Sequence, residues 1–178
     1  SYDQFSPYTL NDVNSLTKLF INVHPNNSEI LLFFGNLKFL QRKEDSACLY
    51  LRKSLLLNPL EYDAWIQLIS SSLSRGKLNQ AIEDAKLASE NHPNQPFPFF
   101  ACGLALNSNQ KYDLALKELN RGKLLVIDDH ILESDFYQQI ADAYYGLKDL
   151  KEAFKNYELA VNLNPKNSIL LNNYSYYL

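Results

Sequence analysis

Metal binding needs several His, Cys, Asp or Glu side chains at face-sharing spacings, and nucleophilic catalysis needs a Ser or Cys within reach of a His. The densest such run here is Asp128-Asp129-His130. It reads as a solvated helix end, since carboxylates are common where a chain turns to water. His24 and His92 each precede a proline, and no carboxylate or Cys recurs at a matching place beside the three histidines. They read as loop residues and not as ligands or bases. Cys48 and Cys102 are too few for a disulfide framework and lack the short spacings of zinc sites, so two buried thiols are expected. There is no nucleophile elbow, and the 5 glycines form no phosphate-cradling loop. The chain is therefore expected to be no enzyme and to need no metal or cofactor.

Charge and composition narrow the partners. Lys and Arg total 17 against 20 Asp and Glu, a net charge of −3, so no cation excess exists to neutralise a phosphate backbone and nucleic acid is not expected. Apolar runs such as residues 30–34 and 169–171 fall far short of the roughly 20 residues a membrane-spanning helix needs. With 46% apolar and 13% aromatic residues, the chain has ample material for a core. It has no methionine, and a processed chain or a cut fragment is expected from that.

The elements that would position any site follow from an internal repeat. Pro25, Pro59 and Pro93 are spaced 34 residues apart, and Pro165 follows after two periods plus four residues. The alanines repeat the test independently: Ala47, Ala81 and Ala115 are 34 apart, and Ala153 lies 38 further on. Both markers place a four-residue insertion, 130–133, in the same repeat. The repeats then span 28–61, 62–95, 96–133 and 134–167.

Within each repeat, position four holds Leu31, Trp65, Phe99 and Tyr137; position seven holds Phe34, Leu68, Cys102 and Ile140; position eight holds Gly35, Ile69, Gly103 and Ala141. These share one face of a helix. Alanine at position 20, then Leu51, Ala85, Leu119 and Tyr157 at position 24 and Ser54, Ala88, Gly122 and Ala160 at position 27, mark a second amphipathic helix. Small residues are needed because two helices approach to about 8 Å only where no bulky side chain intervenes; position 27 should do this against the following repeat. Proline at position 32 ends the second helix. Gly76 marks a turn between the two helices of its repeat.

This constellation resembles the tetratricopeptide repeat, which residues 134–167 match at all eight characteristic positions through Tyr137, Ile140, Ala141, Tyr144, Ala153, Tyr157, Ala160 and Pro165. The resemblance implies an all-α fold, a right-handed superhelical array of antiparallel helix pairs with about ten helices. Departures are local: Lys38 replaces an aromatic residue, Ile69 and Ser72 a small and an aromatic one, and Ile127 the proline. With that stop missing, the second helix of the third repeat is expected to run on for about one extra turn of 3.6 residues. Residues 8–23 should be the second helix of an incomplete repeat, with Phe20 in a small slot. Residues 168–178 should begin a fifth, leaving Leu171, Tyr174 and Leu178 uncovered.

The resemblance further implies that the first helices line a concave surface. The groove residues so assigned are Leu32, Asn36, Phe39, Ile66, Ser70, Phe97, Phe100, Leu104, Gln138, Asp142, Tyr145, Asn172 and Asn173. Glu29, Asp63 and Asp135, at position two of their repeats, and Leu73 and Asn107, at position twelve, belong to the same set of positions. No Lys or Arg stands at the positions where the family grips a C-terminal carboxylate, so a chaperone-tail adaptor is not expected. Phe97, Phe100, Ile66 and Leu32 could anchor an extended segment or an amphipathic helix, or could simply pack against neighbouring first helices. The function expected is a protein-interaction scaffold with a largely uncharged groove. The alternatives are a structural spacer, an array self-associating through the C-terminal helix, or a regulatory module of a larger protein. The final Asn-rich segment, 171–178, resembles the start of a repeat helix in certain bacterial cell-envelope proteins of this architecture, so an envelope location is weighed beside the cytoplasm.

The small slots generate a test. Ala81→Leu or Ala153→Leu should overpack a helix pair and lower the unfolding free energy by about 1–3 kcal/mol in urea titrations; neutral outcomes at both would refute the phase.

Overall fold

The computed structural model describes residues 10–167 and 170–171. Among them the regular elements are all helices: α1 (Leu10–Val23), α2 (Ser28–Leu40), α3 (Glu44–Leu57), α4 (Tyr62–Ser74), α5 (Leu78–Asn91), α6 (Pro96–Ser108), α7 (Tyr112–Lys123), α8 (His130–Gly146) and α9 (Leu150–Leu163). The starts of α2, α4 and α6 keep the 34-residue period. The fifth-repeat segment lies outside the described residues apart from Leu170 and Leu171; Leu170 is buried with Ala141, Ala153, Tyr157 and Ala160.

The first helix of every repeat ends in the same way. Position 15 adopts a left-handed conformation four times: Arg42 at φ 56°, Gly76 at 65°, Gln110 at 57° and Lys148 at 66°. The amide of the next residue then donates to the carbonyl five residues back, Lys43 to Lys38, Lys77 to Ser72, Lys111 to Leu106 and Asp149 to Tyr144, at 2.8–3.0 Å. This six-to-one closure satisfies a carbonyl the helix would leave orphaned. Only one of the four sites uses glycine.

Contacts divide the chain into two compact bodies, residues up to 71 and from 72 onwards, the division falling inside α4. In the first body, α2 and α3 are antiparallel. The Ser54 hydroxyl donates to the Ser28 carbonyl at 2.7 Å, and a Cβ added at Gly35 would lie 2.8 Å from Leu51 Cδ2. Position eight is thus small because position 24 lies on it. Lys38, where an aromatic residue was expected, is buried. Its ammonium lies 4.2 Å from the Phe34 ring centroid and donates to Asn14 of α1 and to Gln41. The departure therefore ties α1 to α2.

The second body repeats these contacts. Gly103 backs directly onto Leu119, and the Ser134 hydroxyl donates to the Ala160 carbonyl at 2.8 Å, so α6 pairs with α7 and α8 with α9, each antiparallel. Ala81, Ala115 and Ala153 are fully buried, as is Ala47 in the first body. Position 27 faces both ways: a Cβ at Gly122 would meet Phe99 of its own repeat at 2.5 Å and Phe136 of the next at 2.8 Å. The expected contact with the following repeat is present there, and a contact within the same repeat is added to it. First helices α6 and α8 lie side by side and parallel, joined by Phe100 on Phe136 and Asn107 on Gln139.

The extra turn falls elsewhere than expected. Helix α7 stops at Lys123, and α8 gains the inserted residues, running for 17 from His130. Two short-range bonds, Leu125 to Gly122 and Val126 to Lys123, tighten the end of α7. The Asp129 carboxylate then caps α8 by accepting from the Leu132 amide at 2.9 Å, as Asn27 caps α2 through Ile30. A capping carboxylate, worth about 1 kcal/mol, starts a new helix where the missing proline only failed to end the old one. His130 is correspondingly the first residue of α8 and not a loop residue.

Replacing Gln110 by Gly should raise the unfolding free energy by up to about 1 kcal/mol, because a side chain at positive φ is strained and glycine is not. Gly76→Ala should lower it by a similar amount even though nothing lies within 4 Å of the added methyl. Urea unfolding of both variants checks the sign.

Candidate interaction groove

In the second body the predicted groove residues lie on two adjacent stripes. Phe97, Phe100 and Leu104 run along α6, and Gln138, Asp142 and Tyr145 along α8, all half-buried. In the first body Leu32, Asn36, Phe39 and Ile66 are half-buried and Ser70 is exposed. Asn172 and Asn173 lie outside the described residues. The Phe100 ring meets the Phe136 ring edge to face, centroids 5.2 Å apart, so Phe100 is in large part a packing residue between first helices.

A polar network joins the stripes. Asn107 Nδ2 donates to the Gln139 backbone oxygen at 2.8 Å and to its Oε1 at 3.2 Å. Gln139 Nε2 donates to Asp142 Oδ2 at 3.2 Å, and the Tyr157 hydroxyl donates to Asp142 Oδ1 at 2.5 Å. Sequence reasoning placed Asp142 and Asn107 on the groove but missed Gln139 and Tyr157. Gln139 carries a usable signal, an amide three residues before a carboxylate on a helix; Tyr157 reads as core and is core, its hydroxyl alone reaching out. The Oδ1 atoms of Asn36 and Asn107 are buried without a hydrogen-bond partner.

Desolvation raises the Asp142 carboxyl above the ordinary carboxylate range, partly offset by the Tyr157 hydrogen bond. Burial raises Asp135 too, with Asp129 adding to it. Burial pushes the Cys102 thiol up to about 11, so it is an inert core thiol. Cys48 is likewise buried and free. Among the described residues no group of three His, Cys, Asp or Glu could hold a metal ion, and no helix is long and apolar enough to cross a membrane.

A second concavity lies within the first body, a cleft of about 410 Å³ lined by Val13, Leu16, Thr17, Phe20, Glu29, Ile30 and Phe33. Phe20 is the residue the repeat phase placed in a small slot. It is 55% exposed.

Residues 134–167 match the family model for the tetratricopeptide repeat. The chain carries a tetratricopeptide repeat. Solved structures extend the likeness of fold to most of its length. A crystal structure of MamA protein is 21% identical, with a TM-score of 0.72 over 89% of this chain and 85% of that one. YrrB, described as a TPR protein with an unusual peptide-binding site, is 15% identical, with a TM-score of 0.77 over 92% and 82%. TTC0263, a thermophilic TPR protein of Thermus thermophilus, is 17% identical, with a TM-score of 0.63 over 94% and 90%. No curated protein matches the sequence. The tetratricopeptide-repeat fold of antiparallel helix pairs is thus the fold of this chain.

The Asp142 environment sets a pH test. Its folded-state pKa is raised, so folding favours the protonated form; that contribution is present below the unfolded value of about 3.9 and is lost as pH rises through the folded value. Asp142→Asn keeps an acceptor for Tyr157 and removes the titration. The variant should gain stability relative to the parent as pH rises above about 3.9, read from urea midpoints.

Proposed function

We propose that this chain is a non-catalytic protein-interaction scaffold, built on repeats 28–61, 62–95, 96–133 and 134–167, that holds a peptide or helix of a partner protein along its first helices. The observation that carries the reading is the half-buried row Phe97, Phe100 and Leu104 beside Gln138, Asp142 and Tyr145. Apolar side chains left partly open next to hydrogen-bonding groups suit an extended segment docked through a few anchors. A peptide-binding site in YrrB, of the same fold, supports the class of ligand. Phe97 and Leu104 are the anchors of choice, since Phe100 is engaged with Phe136.

Self-association is the second reading, and α1 favours it. Leu16, Leu19, Phe20 and Val23 leave 48–62% of their surface open, more than an isolated exposed residue would. Light scattering over a concentration series would then show a dimer that Phe20→Ser dissociates; a monomer throughout removes this reading.

Random peptides displayed on phage and selected on the chain test the main proposal. A selected peptide should bind the Phe97→Ser/Leu104→Ser variant at least about ten-fold more weakly in fluorescence anisotropy, a loss of ~1.4 kcal/mol. Equal binding to both proteins would place the site elsewhere.

A further inference from the structure

At the described groove positions of the second body the charged side chains are two carboxylates, Asp135 and Asp142. On α8, Asp135 and Asp142 are seven residues apart, so they share a face and stand about 10.5 Å apart along the axis at 1.5 Å per residue. The donors around Asp142 are neutral: the Tyr157 hydroxyl on one oxygen and the Gln139 amide on the other. Neither cancels the charge, and each carboxylate oxygen keeps a further acceptor site. Among the described residues neither carboxyl makes an ion pair within the hydrogen-bonded network, and the charged neighbour felt by Asp135 is another carboxylate, Asp129. The cations on this helix and its neighbour stack on rings, Lys123 over Tyr137 at 4.3 Å and Lys148 at 5.5 Å over Tyr145, at the far end of the same stripe. The network also ends in an acceptor at its α6 side, where Asn107 Oδ1 is buried and unpartnered. Desolvated carboxylates without a cation are costly, and a bound cation relieves that cost.

We propose that the groove of the second body selects a basic segment, two Lys or Arg residues lying against Asp135 and Asp142 while apolar neighbours rest on Phe97 and Leu104. This rests on the scaffold reading above and names the ligand class it leaves open. The spacing narrows it further. In a polyproline II conformation the chain advances about 3.1 Å per residue with three residues per turn, so cations three residues apart share a face and span about 9.3 Å, close to the separation of the two carboxylates. Complementary charge then sets specificity and encounter rate, and the apolar stripe supplies burial.

Three pools of fluorescent peptides, equal in length and apolar content, distinguish the outcomes in anisotropy titrations against the whole chain. One carries Lys or Arg at a spacing of three, the second Glu and the third Gln at the same places. The basic pool should bind preferentially, more weakly as salt rises. Asp135→Asn/Asp142→Asn should weaken it at least about ten-fold, and Asp135→Lys/Asp142→Lys should transfer the preference to the Glu pool. Circular dichroism melts confirm that each variant is folded; if the Lys pair unfolds, the isosteric Asn pair decides. Basic-pool binding untouched by the Asn pair overturns the proposal. Preference for the Glu or Gln pool, lost in Phe97→Ser/Leu104→Ser, overturns the charge assignment and leaves the scaffold standing. Binding of no pool removes both.

Discussion

Close approach of paired helices is the constraint on which this fold depends. Gly35 under Leu51 and Gly103 under Leu119 leave no room for a methyl group, and the alanines at position 20 are fully buried. Two helices can press together only where one of each facing pair is small. Because the pairing is antiparallel, the same contact brings the start of the first helix to the end of the second, where Ser28 meets Ser54 and Ser134 meets Ala160. The first helix turns its small-residue face inward and leaves another stripe for a neighbour or a ligand.

The turn between paired helices is constant in geometry and loose in sequence. Arg, Gly, Gln and Lys all occupy the left-handed site, and the same backbone closure follows each of them. Backbone hydrogen bonding and the packing on either side dictate the conformation, and the side chain tolerates it at a modest cost. The connection between repeats is more permissive. Four inserted residues pass into α8 without disturbing the burial of Ala115 or Ala153, although Leu124 and Ile127 are left 82% and 83% exposed.

Polar groups inside the array do local structural work while shaping what the groove can hold. Lys38 fills an aromatic slot by lying on Phe34 and reaching Asn14; burial lowers its pKa, with Lys43 and Lys18 adding to the effect. Asp142 is held by Tyr157 from α9 and by Gln139 from its own helix. A carboxylate fixed from both sides presents its charge at a defined place, and in the proposed groove that would give selectivity where an apolar stripe alone would be permissive.

The sequence by itself determined the helix pairs, their period and the residues at their contacts, because helical periodicity and steric exclusion act locally and leave a mark every 34 residues. The candidate groove, as a stripe of positions, came from the resemblance to the tetratricopeptide repeat. Only the tertiary structure decided which members of that stripe are free: Phe100 is drawn into packing on Phe136, and Asn107 and Asp142 are bound into one network through Gln139. The destination of the inserted residues belongs to the same class, since a missing proline and a capping Asp129 compete and their relative strength is not written in spacing. Side-chain partnership depends on which residues of separate helices meet, and a periodic pattern specifies the face they share without specifying the hydrogen bonds made across it.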